Sequence, residues 1–582
     1  MCYDGDSRRA TVETVLWRIG WSGLYFVPPA QPAPQGLEFA NAGSVPERSP
    51  AGPRTLQRSA YPARRVPCRC AAAAIVHERD PMKRNRLLAL GLALFVAACG
   101  DNAGPTDANT SPDFASSSVN GTIRINVLLK APATNAQRAE LGRFGRIYDE
   151  IARINGLMMR AKVSRVDAIR ALPYVKSVSQ DAEVNIGPID LVPPGITSFS
   201  GGLNTWNLDA INVTDVLSGV RRVSQTGAGV YVAVLDTGLM PSWKAYFPDA
   251  RIATQFAKAF GGGGGDNGNI PEIPNKWEGD VDAHGTHVTS IILGYTFPLG
   301  GQLIAVNGVA PQATVIPVKV LNQNGSGWFS VVAKAISYIA ELKAGPLAAH
   351  PVVINLSLGG PVASVDFVEA AIDDAIALGV VIVASAGNAG PNGSMGFPGA
   401  YQPIISVASA GFPRSTIGSQ VVGEWESCLG QSPVFWIFFC DFPDPTTDGN
   451  LYISNFSSKR TGSQDLDVAA PGSWVLGPFQ VQQGQLSWFF VGGTSQAAPH
   501  ISGIVALMLQ KNPTLGVAAG QRAARAEEIL TTAAFALPDQ GQIVRPLPGF
   551  AAGDPFDGPN SWTTDHTGAG FVTADAALAG TP

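Results

Sequence analysis

Charged residues, histidines and cysteines are scarce in this chain of 582 residues. Only 15% of its residues are charged, and it contains six histidines and six cysteines. The charges are uneven, since residues 87–582 hold 27 Lys and Arg against 38 Asp and Glu, with no basic stripe. This acidic balance argues against a nucleic acid partner. No two cysteines have zinc-finger or CxxC spacing, which argues against both kinds of site.

Long apolar stretches are missing as well, so no segment predicts a transmembrane helix. The apolar run Leu87–Ala98 is short and follows a basic start at residues 83–86. This pattern is typical of a signal peptide that begins at Met82. Val96–Cys99 resembles the lipobox of bacterial lipoproteins, in which Cys99 would be acylated. A plain signal peptide cut nearby is the alternative.

The residues on either side of this signal show no sustained periodicity. Residues 1–81 are rich in Arg, Pro and Ala, and we interpret them as the product of a translation start assigned upstream of Met82. A genuine disordered extension is the alternative. Residues 100–121 are rich in Ser, Thr, Asn and Asp, which predicts a tether.

Glycine and proline are abundant, at 65 and 44 residues, and 45% of the chain is hydrophobic. This composition favours a loop-rich α/β enzyme with more than one domain. Residues 122–184 predict a compact α/β unit, in which alternating apolar residues at 123–127 indicate a strand and a polar stretch around 135–155 indicates a helix. A strand at 157–159, a helix at 164–172 and a strand at 174–178 follow. The Pro- and Gly-rich residues 185–204 predict an exposed linker.

Beyond this linker, short apolar runs bounded by turn residues predict buried parallel strands. Val230–Leu235 is one such run, and Asp236 follows it directly. Asp366 and Glu369 offer a capping box for a helix that Gly379 should end. Alternating elements of this kind predict a parallel sheet with helices on both faces and ligands beyond the carboxyl ends of its strands. The other predicted elements are strands at 352–358 and 380–385 and helices at 367–378 and 495–509.

Three sequence blocks carry a specific resemblance. Residues 234–238, 284–288 and 493–500 match the signatures of subtilisin-like serine proteases (the subtilase family, S8-type peptidases), in the order Asp, His, Ser. The similarity covers roughly 205–580, with further motifs at 308–311, 355–360 and 386–388. It implies a doubly wound α/β catalytic domain at 205–582. By the same resemblance, 122–184 is similar to the ferredoxin-like inhibitory propeptide of these proteases (I9-like), with the order βαββαβ, and 185–204 contains the processing site.

The resemblance implies a catalytic triad of Asp236, His284 and Ser495. A serine hydroxyl needs an adjacent base, and the imidazole of that base needs a carboxylate to fix its tautomer. Asn388 matches the side-chain donor of the oxyanion hole, paired with the backbone N–H of Ser495. His287 is expected to pack or hydrogen-bond structurally. The remaining alternative is Asp282, a weaker candidate for the carboxylate because loop carboxylates are usually solvated.

Protein or peptide substrates are expected to bind as an extended strand. By resemblance, two short segments flank that strand and a third forms the wall of the first specificity pocket, which should accept large apolar side chains. The flanking segments are Gly325, Ser326 and Gly327, and Ser357, Leu358 and Gly359. The wall is Ala384, Ser385, Ala386 and Gly387. The chain's own propeptide is expected as an intramolecular inhibitor.

Two departures from the family pattern stand out. Gln496 replaces the Met that usually follows the nucleophile, which affects packing near the site. An insertion at 409–453 contains Cys428, Cys440 and the aromatic run 435–439. In an exported protein the two cysteines are expected to form a disulfide, with unlinked thiols as the alternative. The aromatic run is expected to be a buried plug, or else an exposed binding surface.

No cofactor is expected to be required for the chemistry, and structural calcium is possible. Residues 261–269 are a Gly-rich loop with Asp and Asn, but their spacing matches no EF-hand. The sequence therefore predicts a serine endopeptidase that acts through an acyl-enzyme at Ser495 and is made as a self-processing precursor. It would be secreted, or a cell-envelope lipoprotein until the propeptide is removed. The alternatives are a catalytically silent binding protein and a protease that cuts only its own propeptide.

Overall fold

The computed structural model describes residues 121–582 with gaps. The gaps are 187–189, 193–204, 216–219, 262–271, 274–275, 300–301, 412–450, 455, 474, 481–483, 485, 517–520 and 538–561. The proposed signal peptide with Cys99, the tether up to residue 120, and both Cys428 and Cys440 lie outside the described residues. Within the described part, no helix combines the length and apolar character needed to cross a membrane.

A four-stranded antiparallel sheet with two helices forms the N-terminal part of the structure. Its strand order is β2-β3-β1-β4. Its own core includes Ile125, Val127, Leu141, Met159 and Ile169. In chain order the elements are β1 (Thr122–Leu129), α1 (Asn135–Leu141), β2 (Gly145–Ile151), β3 (Gly156–Lys162), α2 (Val166–Arg170) and β4 (Val175–Gln180). This is the predicted βαββαβ order.

The first predicted helix is wrong in its extent. The helix α1 ends at Leu141 with Gly142 as its C-cap, and residues 145–151, predicted as helix, form the strand β2. β2 is an edge strand, paired only with β3, and most of its side chains are partly exposed. An edge strand of this kind carries charged residues on its open side, which gives it the polar composition of an exposed helix.

Several short strands lie next in the chain, and most of them pair outside the large sheet. They are β5 (Glu183–Asn185), β6 (Asp190–Val192), β7 (Thr214–Asp215) and β8 (Val220–Arg221). β7 pairs with β8, whereas β5 and β6 pair with strands that come much later in the chain. A short helix, α3 (Trp206–Ala210), precedes β7.

A nine-stranded, mostly parallel sheet forms the centre of the larger part. Its order is β11-β10-β14-β9-β16-β17-β18-β19, with β20 also paired to β18. Only the pairs with β11 and β19 are antiparallel. The strands are β9 (Tyr231–Asp236), β10 (Lys258–Phe260), β11 (Glu272–Ile273), β14 (Thr314–Lys319), β16 (Val352–Leu356), β17 (Val381–Ser385), β18 (Ile405–Gly411), β19 (Tyr452–Ile453) and β20 (Val468–Pro471).

The remaining strands belong to small separate sheets. They are β12 (Tyr295–Leu299), β13 (Gln302–Val306), β15 (Ser326–Trp328), β21 (Val475–Pro478) and β22 (Trp488–Gly492). β12 pairs with β13, and β21 pairs with β22.

Helices cover both faces of the central sheet, as predicted. Alternate residues of β9 enter different cores, because successive side chains of a strand point to opposite faces. Val232 and Val234 join one core with the helices α4 (His284–Leu293) and α7 (Thr494–Lys511). Ala233 and Leu235 join the other with α5 (Phe329–Ala344) and α6 (Asp366–Ala377). The C-terminal helices are α8 (Arg522–Ala533), α9 (Thr564–Thr567) and α10 (Ala574–Gly580).

The predicted capping box at the start of α6 is wrong. Val365 occupies the N-cap and makes no side-chain capping bond, and Asp366 is the first helical residue. Its carboxylate therefore lies in the first turn of the helix, where it interacts with the helix dipole rather than capping an N–H. Gly379 does follow the end of this helix, with the positive φ of 80° that favours glycine.

Candidate active site

One strand of the sheet and two helices that pack on the same face of it carry Asp236, His284 and Ser495. Asp236 is the last residue of β9, His284 the first of α4 and Ser495 the second of α7. Both helices pack together and against β9. All three side chains belong to residues that are at most 2% exposed.

Asp236 and His284 form a buried hydrogen-bonded pair. The distance between His284 Nδ1 and Asp236 Oδ1 is 2.8 Å. The backbone N–H of Thr237 donates to the same carboxylate oxygen at 2.7 Å. Burial by itself lowers the pKa of His284, but the negative charge and hydrogen bond of Asp236, with help from Asp282 and Asp280, more than offset it and raise the pKa. The pair can therefore hold a proton on Nδ1 and stabilise the imidazolium.

The hydroxyl of Ser495 does not bond to His284 in this conformation. Ser495 Oγ donates to the carbonyl oxygen of Ser357 at 3.2 Å. His284 Nε2 is buried without a hydrogen-bond partner among the described residues. A rotation of the serine side chain would be needed to transfer its proton to Nε2, and catalytic hydrogen bonds are often formed only with substrate in place.

Two hydrogen-bond donors converge beside Gly493. Asn388 Oδ1 accepts from the backbone N–H and the hydroxyl of Thr494, at 2.9 and 2.8 Å, which orients the amide. A Cβ placed on Gly493 would lie 3.4 Å from Asn388 Nδ2 and 3.7 Å from the backbone N of Ser495. The same position lies 2.7 Å from Gln496 Oε1, so a side chain at residue 493 would collide with that oxygen. Asn388 Nδ2 and the Ser495 N–H are two groups that could donate to an oxyanion, and the role of Asn388 stays a prediction.

A buried chain of polar side chains beside Ser495 was not predicted from the sequence. Ser357 Oγ donates to the carbonyl oxygen of Ser495 at 2.7 Å, and Asn355 Nδ2 donates to Ser357 Oγ at 2.9 Å. Ser502 Oγ then donates to Asn355 Oδ1 at 2.9 Å. This chain ties β16 to α7. The sequence signal for it was a polar residue, Asn355, within an otherwise apolar buried strand.

The two segments predicted to flank the substrate both pair with an extended strand, which is part of the chain itself. β5 runs antiparallel to β15, with Asn185 opposite Ser326 and Val184 opposite Gly327. On its other side, Asn185 exchanges two backbone hydrogen bonds with Gly359, at 3.0 and 2.9 Å. Asn185 is exposed and Ile186 is buried, and both are held through their backbone groups.

The next residue of this segment, Ile186, lies against Gly325. Its backbone N–H donates to the carbonyl oxygen of Gly325 at 3.1 Å, and it is 9% exposed. Gly325 has a φ of 67°, and a Cβ on it would lie 2.7 Å from the Ile186 side chain. Glycine is therefore required here both by the backbone conformation and by the close approach of the bound strand.

The other predicted substrate residues lie at the neighbouring strand ends. Ser357 contacts Ser495 as described, and Leu358 is buried at 1% exposure. Parallel pairing sets Ala384 beside Leu356, so the segment Ala384–Gly387 leaves the sheet next to residues 357–359. Gly387 donates its N–H to Thr494 Oγ1 at 3.1 Å.

Two further residues have the roles that the sequence suggested. His287 Nε2–H donates to the carbonyl oxygen of Val475 at 2.9 Å. Burial lowers the pKa of His287 to about 3, so this histidine is neutral and structural. Asp282 does not take the place of Asp236 at His284 Nδ1. Its backbone N–H donates to Asp280 Oδ1 at 3.1 Å. Sequence reasoning missed Asp280, a fully buried carboxyl that shapes the turn before His284.

Oxygen donors for a metal ion cluster at one place in the described part of the chain. Carboxylate oxygens of Asp465, Asp467 and Glu527 lie within 4.8 Å of one another. Burial is the main cause that raises the pKa of Asp467 to about 6 and that of Glu527 to about 8. The Gly-rich loop 261–269 lies outside the described residues beyond Gly261, as do residues 412–450 of the insertion.

Known proteins share sequence similarity with this chain. Residues 227–558 match the sequence model of the subtilase family, Peptidase_S8. The chain is 29% identical to M-protease of Shouchella clausii over 368 residues, which is 63% of this chain and 72% of that protein. It is 32% identical to Subtilisin Savinase of Lederbergia lenta over 289 residues, 50% of this chain and 79% of that protein.

The fold also has a solved counterpart. Fervidolysin from Fervidobacterium pennivorans, described as a keratinolytic enzyme related to subtilisin, superposes with a TM-score of 0.52 at 22% identity. The match covers 79% of this chain but only 62% of fervidolysin, which is less than two thirds of its length. At this identity the likeness concerns the fold alone.

Proposed function

Because the chain belongs to the subtilase family and is a serine endopeptidase, we propose that Ser495 is its nucleophile and that it is made as a self-processing precursor. The observation that carries the assignment is the buried Asp236–His284 pair, with Ser495 at the start of the helix that packs against the one carrying His284. The backbone N of Ser495 and Asn388 Nδ2 both lie near one point beside Gly493. These are the groups that acyl transfer requires.

In the proposed mechanism, Ser495 Oγ attacks the substrate carbonyl carbon while His284 Nε2 takes the hydroxyl proton. Asp236 stabilises the resulting imidazolium through Nδ1. Asn388 Nδ2 and the backbone N–H of Ser495 donate to the oxyanion. His284 then gives its proton to the leaving amine, and water hydrolyses the acyl-enzyme by the reverse sequence. This chemistry requires no cofactor.

We assign residues 122–184 as the inhibitory propeptide, on contacts that join them to the catalytic domain at 205–582. The Asp181 carboxylate accepts from the backbone N and hydroxyl of Ser330, at 3.0 and 2.7 Å, in the first turn of α5. Arg153 makes a two-bond ion pair with Asp374, at 2.7 and 2.9 Å. The apolar core between the two parts includes Ile154 and Met158. β5 meanwhile occupies the cleft, where a substrate strand would bind.

We propose that processing cuts the chain between Ile186 and Asp190. Ile186 donates its backbone N–H to the carbonyl oxygen of Gly325. Asp190 in β6 pairs with Gly492, the last residue of β22 and three residues before Ser495. These two described positions bracket residues 187–189 in sequence, within the region 185–204 expected to contain the processing site.

Localisation and metal binding are proposed from the sequence. A signal peptide at 82–99 would export the chain, with Cys99 as a lipid anchor and 100–121 as a tether until propeptide removal releases the enzyme. Residues 1–81 would then play no part in the mature protein, and Cys428 and Cys440 would form a disulfide. Calcium would support stability, at the loop 261–269 rather than in the chemistry.

The test is to express the full chain and its Ser495→Ala variant side by side. The wild type should acquire a new N-terminus between residues 187 and 190, react with a fluorophosphonate and hydrolyse casein. The variant should stay uncut, membrane-associated and unlabelled. Processing of the variant at the wild-type rate would refute the proposal. A wild type that is not labelled would be a silent binding protein, and one that is labelled but leaves casein intact would act only on its own propeptide.

A further inference from the structure

The indole ring of Trp328 faces a cation in this structure. The guanidinium carbon of Arg124 lies 4.6 Å from the centre of the Trp328 ring. The same guanidinium lies 5.5 Å from the centre of the Tyr148 ring and forms an ion pair with Asp181 at 2.9 Å. The Arg124 side chain is only 10% exposed, so its charge is largely withdrawn from water. The face of a tryptophan ring attracts a cation placed in this way.

The other groups described around this cation belong to the N-terminal part. Arg124 lies in β1, Tyr148 lies in β2 and Asp181 follows β4, whereas Trp328 ends β15 in the catalytic domain. Trp328 is partly exposed even in this arrangement. If the proposed inhibitory segment 122–184 leaves, the ring stays with the catalytic domain and loses the cation that covers it.

Trp328 also borders the strand that lies in the cleft between residues 325–328 and Gly359. It pairs with Glu183 in the antiparallel register of β15 and β5. Residues directly opposite each other in such a pair have Cβ atoms about 4.5–5.5 Å apart, with both side chains on the same face. A long side chain in the place of Glu183 can therefore reach the ring. We call the place of this strand residue the Glu183 position.

Building on the proposed function, we propose that Trp328 is a specificity-determining residue of the processed enzyme, which favours Arg or Lys in the substrate at the Glu183 position. The basic side chain would take the place over the ring that Arg124 occupies in the unprocessed chain. Glu183 cannot do so, because the face of an aromatic ring carries partial negative charge, and its side chain is exposed. A basic substrate is therefore the better occupant of this position.

The contribution of Trp328 belongs to binding rather than to the chemical step. The Glu183 position is three residues before Ile186, and the proposed cut follows Ile186. A contact this far from the reacting bond is the same in the bound substrate and in the transition state. It should therefore lower KM and leave kcat unchanged.

The experiment measures KM and kcat of the processed enzyme on peptide pairs in which one residue is arginine or citrulline, its uncharged analogue of similar shape. Each pair places this residue at a different distance from the cut bond, which mass spectrometry identifies. Arginine should lower KM about two- to fivefold relative to citrulline at one position, with kcat unchanged. Residues 183–186 and 183–189 span four and seven residues, so this position should be the fourth to seventh before the cut bond.

Variants of Trp328 test whether its ring is the cause. Trp328→Leu and Trp328→Gln both remove the ring and should abolish the difference between arginine and citrulline, whereas Trp328→Phe should keep part of it. Phe256→Leu is the matched control and should leave the difference unchanged. Phe256 is also a partly buried aromatic residue, but it packs on Tyr231, at the other end of β9 from Asp236.

The outcomes separate this inference from the proposed function. Fluorophosphonate labelling verifies for each variant that the active site is assembled. Equal KM values for arginine and citrulline at every position in the wild type would overturn the role of Trp328 while the peptidase assignment stands. An arginine preference that persists in a labelled variant without the ring would also overturn it, because another group would then hold the cation. Absence of cutting and labelling in the wild type would instead refute the proposed function.

Discussion

Asp181 offers a direct test of the proposal that the N-terminal part inhibits the enzyme. Its side chain is fully buried and accepts bonds from both sides of the boundary. Arg124 and Asn126 donate from the N-terminal part itself, at 3.0 and 3.2 Å. Ser330 donates twice from the catalytic part, at 3.0 and 2.7 Å. Only the two bonds from Ser330 contribute directly to binding between the parts.

The expected magnitude follows from those two bonds. A hydrogen bond to a charged acceptor contributes about 1.5–3 kcal/mol. A carboxylate that binds at the N-terminal end of a helix, as Asp181 does at α5, gains about 0.3–1 kcal/mol more from the helix dipole. Asp181→Asn keeps the size of the side chain and one acceptor oxygen but removes the charge and the second acceptor. Loss of one charged hydrogen bond and of the dipole contribution should weaken inhibition by about 2–4 kcal/mol. This corresponds to a rise of about 30- to 1,000-fold in the inhibition constant.

The assay titrates the processed enzyme with the N-terminal segment separated from it, and follows hydrolysis of a fluorogenic peptide. Asp167→Asn is the matched control, because Asp167 lies in the same segment with its side chain 92% exposed. Surface ion pairs contribute about 0–1 kcal/mol, so the control should change the inhibition constant by less than about fivefold. Circular dichroism must show that each segment is folded, since Arg124 loses its partner in Asp181→Asn. A folded Asp181→Asn segment that inhibits as tightly as the wild type would refute the reasoning.

Two further predictions concern stability and can be measured by urea unfolding of the inhibited enzyme. Gln496 is fully buried, and neither of its side-chain amide atoms has a hydrogen-bond partner among the described residues. Gln496→Met should therefore raise the free energy of unfolding by about 1–3 kcal/mol. A decrease would contradict this prediction. Burial and the neighbouring Asp467 raise the pKa of Glu527 to about 8, so the folded state binds its proton more tightly than the unfolded chain. Stability should therefore fall as pH rises from about 4 to 8, and Glu527→Gln should flatten that fall; an unchanged profile would contradict the assignment.

The sequence predicted the parts of the fold where local pattern and burial agree. Val230–Leu235 is an unbroken apolar run because β9 is covered on both faces, and its end at Asp236 follows from the change to turn residues. The helix that begins beside Ser495 was predicted because its apolar residues recur at helical spacing along one core-facing side.

The error at β2 arose because tertiary contacts override local composition. This strand was predicted as helix because its exposed edge carries charged residues, and pairing with β3 makes it a strand. The exposed linker at 185–204 stays a prediction, since most of it lies outside the described residues. The backbone pairing of Asn185 and Ile186 is a feature that composition does not reveal.

The same limit applies within the site. The motifs identified Asp236, His284, Ser495 and Asn388, because their neighbours in sequence form recognisable blocks. The position of Asp282 against Gly325 depends on two loops that are 43 residues apart in sequence and meet only in the folded chain. Sequence alone could therefore weigh Asp282 only as a second candidate for the triad, and not as part of the cleft wall.

Under the proposed mechanism, these contacts explain how the cleft between residues 325–328 and Gly359 holds the segment 183–186 of the same chain and later releases it. Backbone pairing along β15 and Gly359 is largely indifferent to side chains, so it binds the segment and a substrate alike. Before cleavage the segment is tethered, and its effective concentration at the cleft is about millimolar for a short linker. The proposed cut between Ile186 and Asp190 would remove that advantage, and retention would then depend on contacts outside the cleft such as Asp181 with Ser330. Weakening those contacts should therefore speed the appearance of activity without changing which peptides are cut.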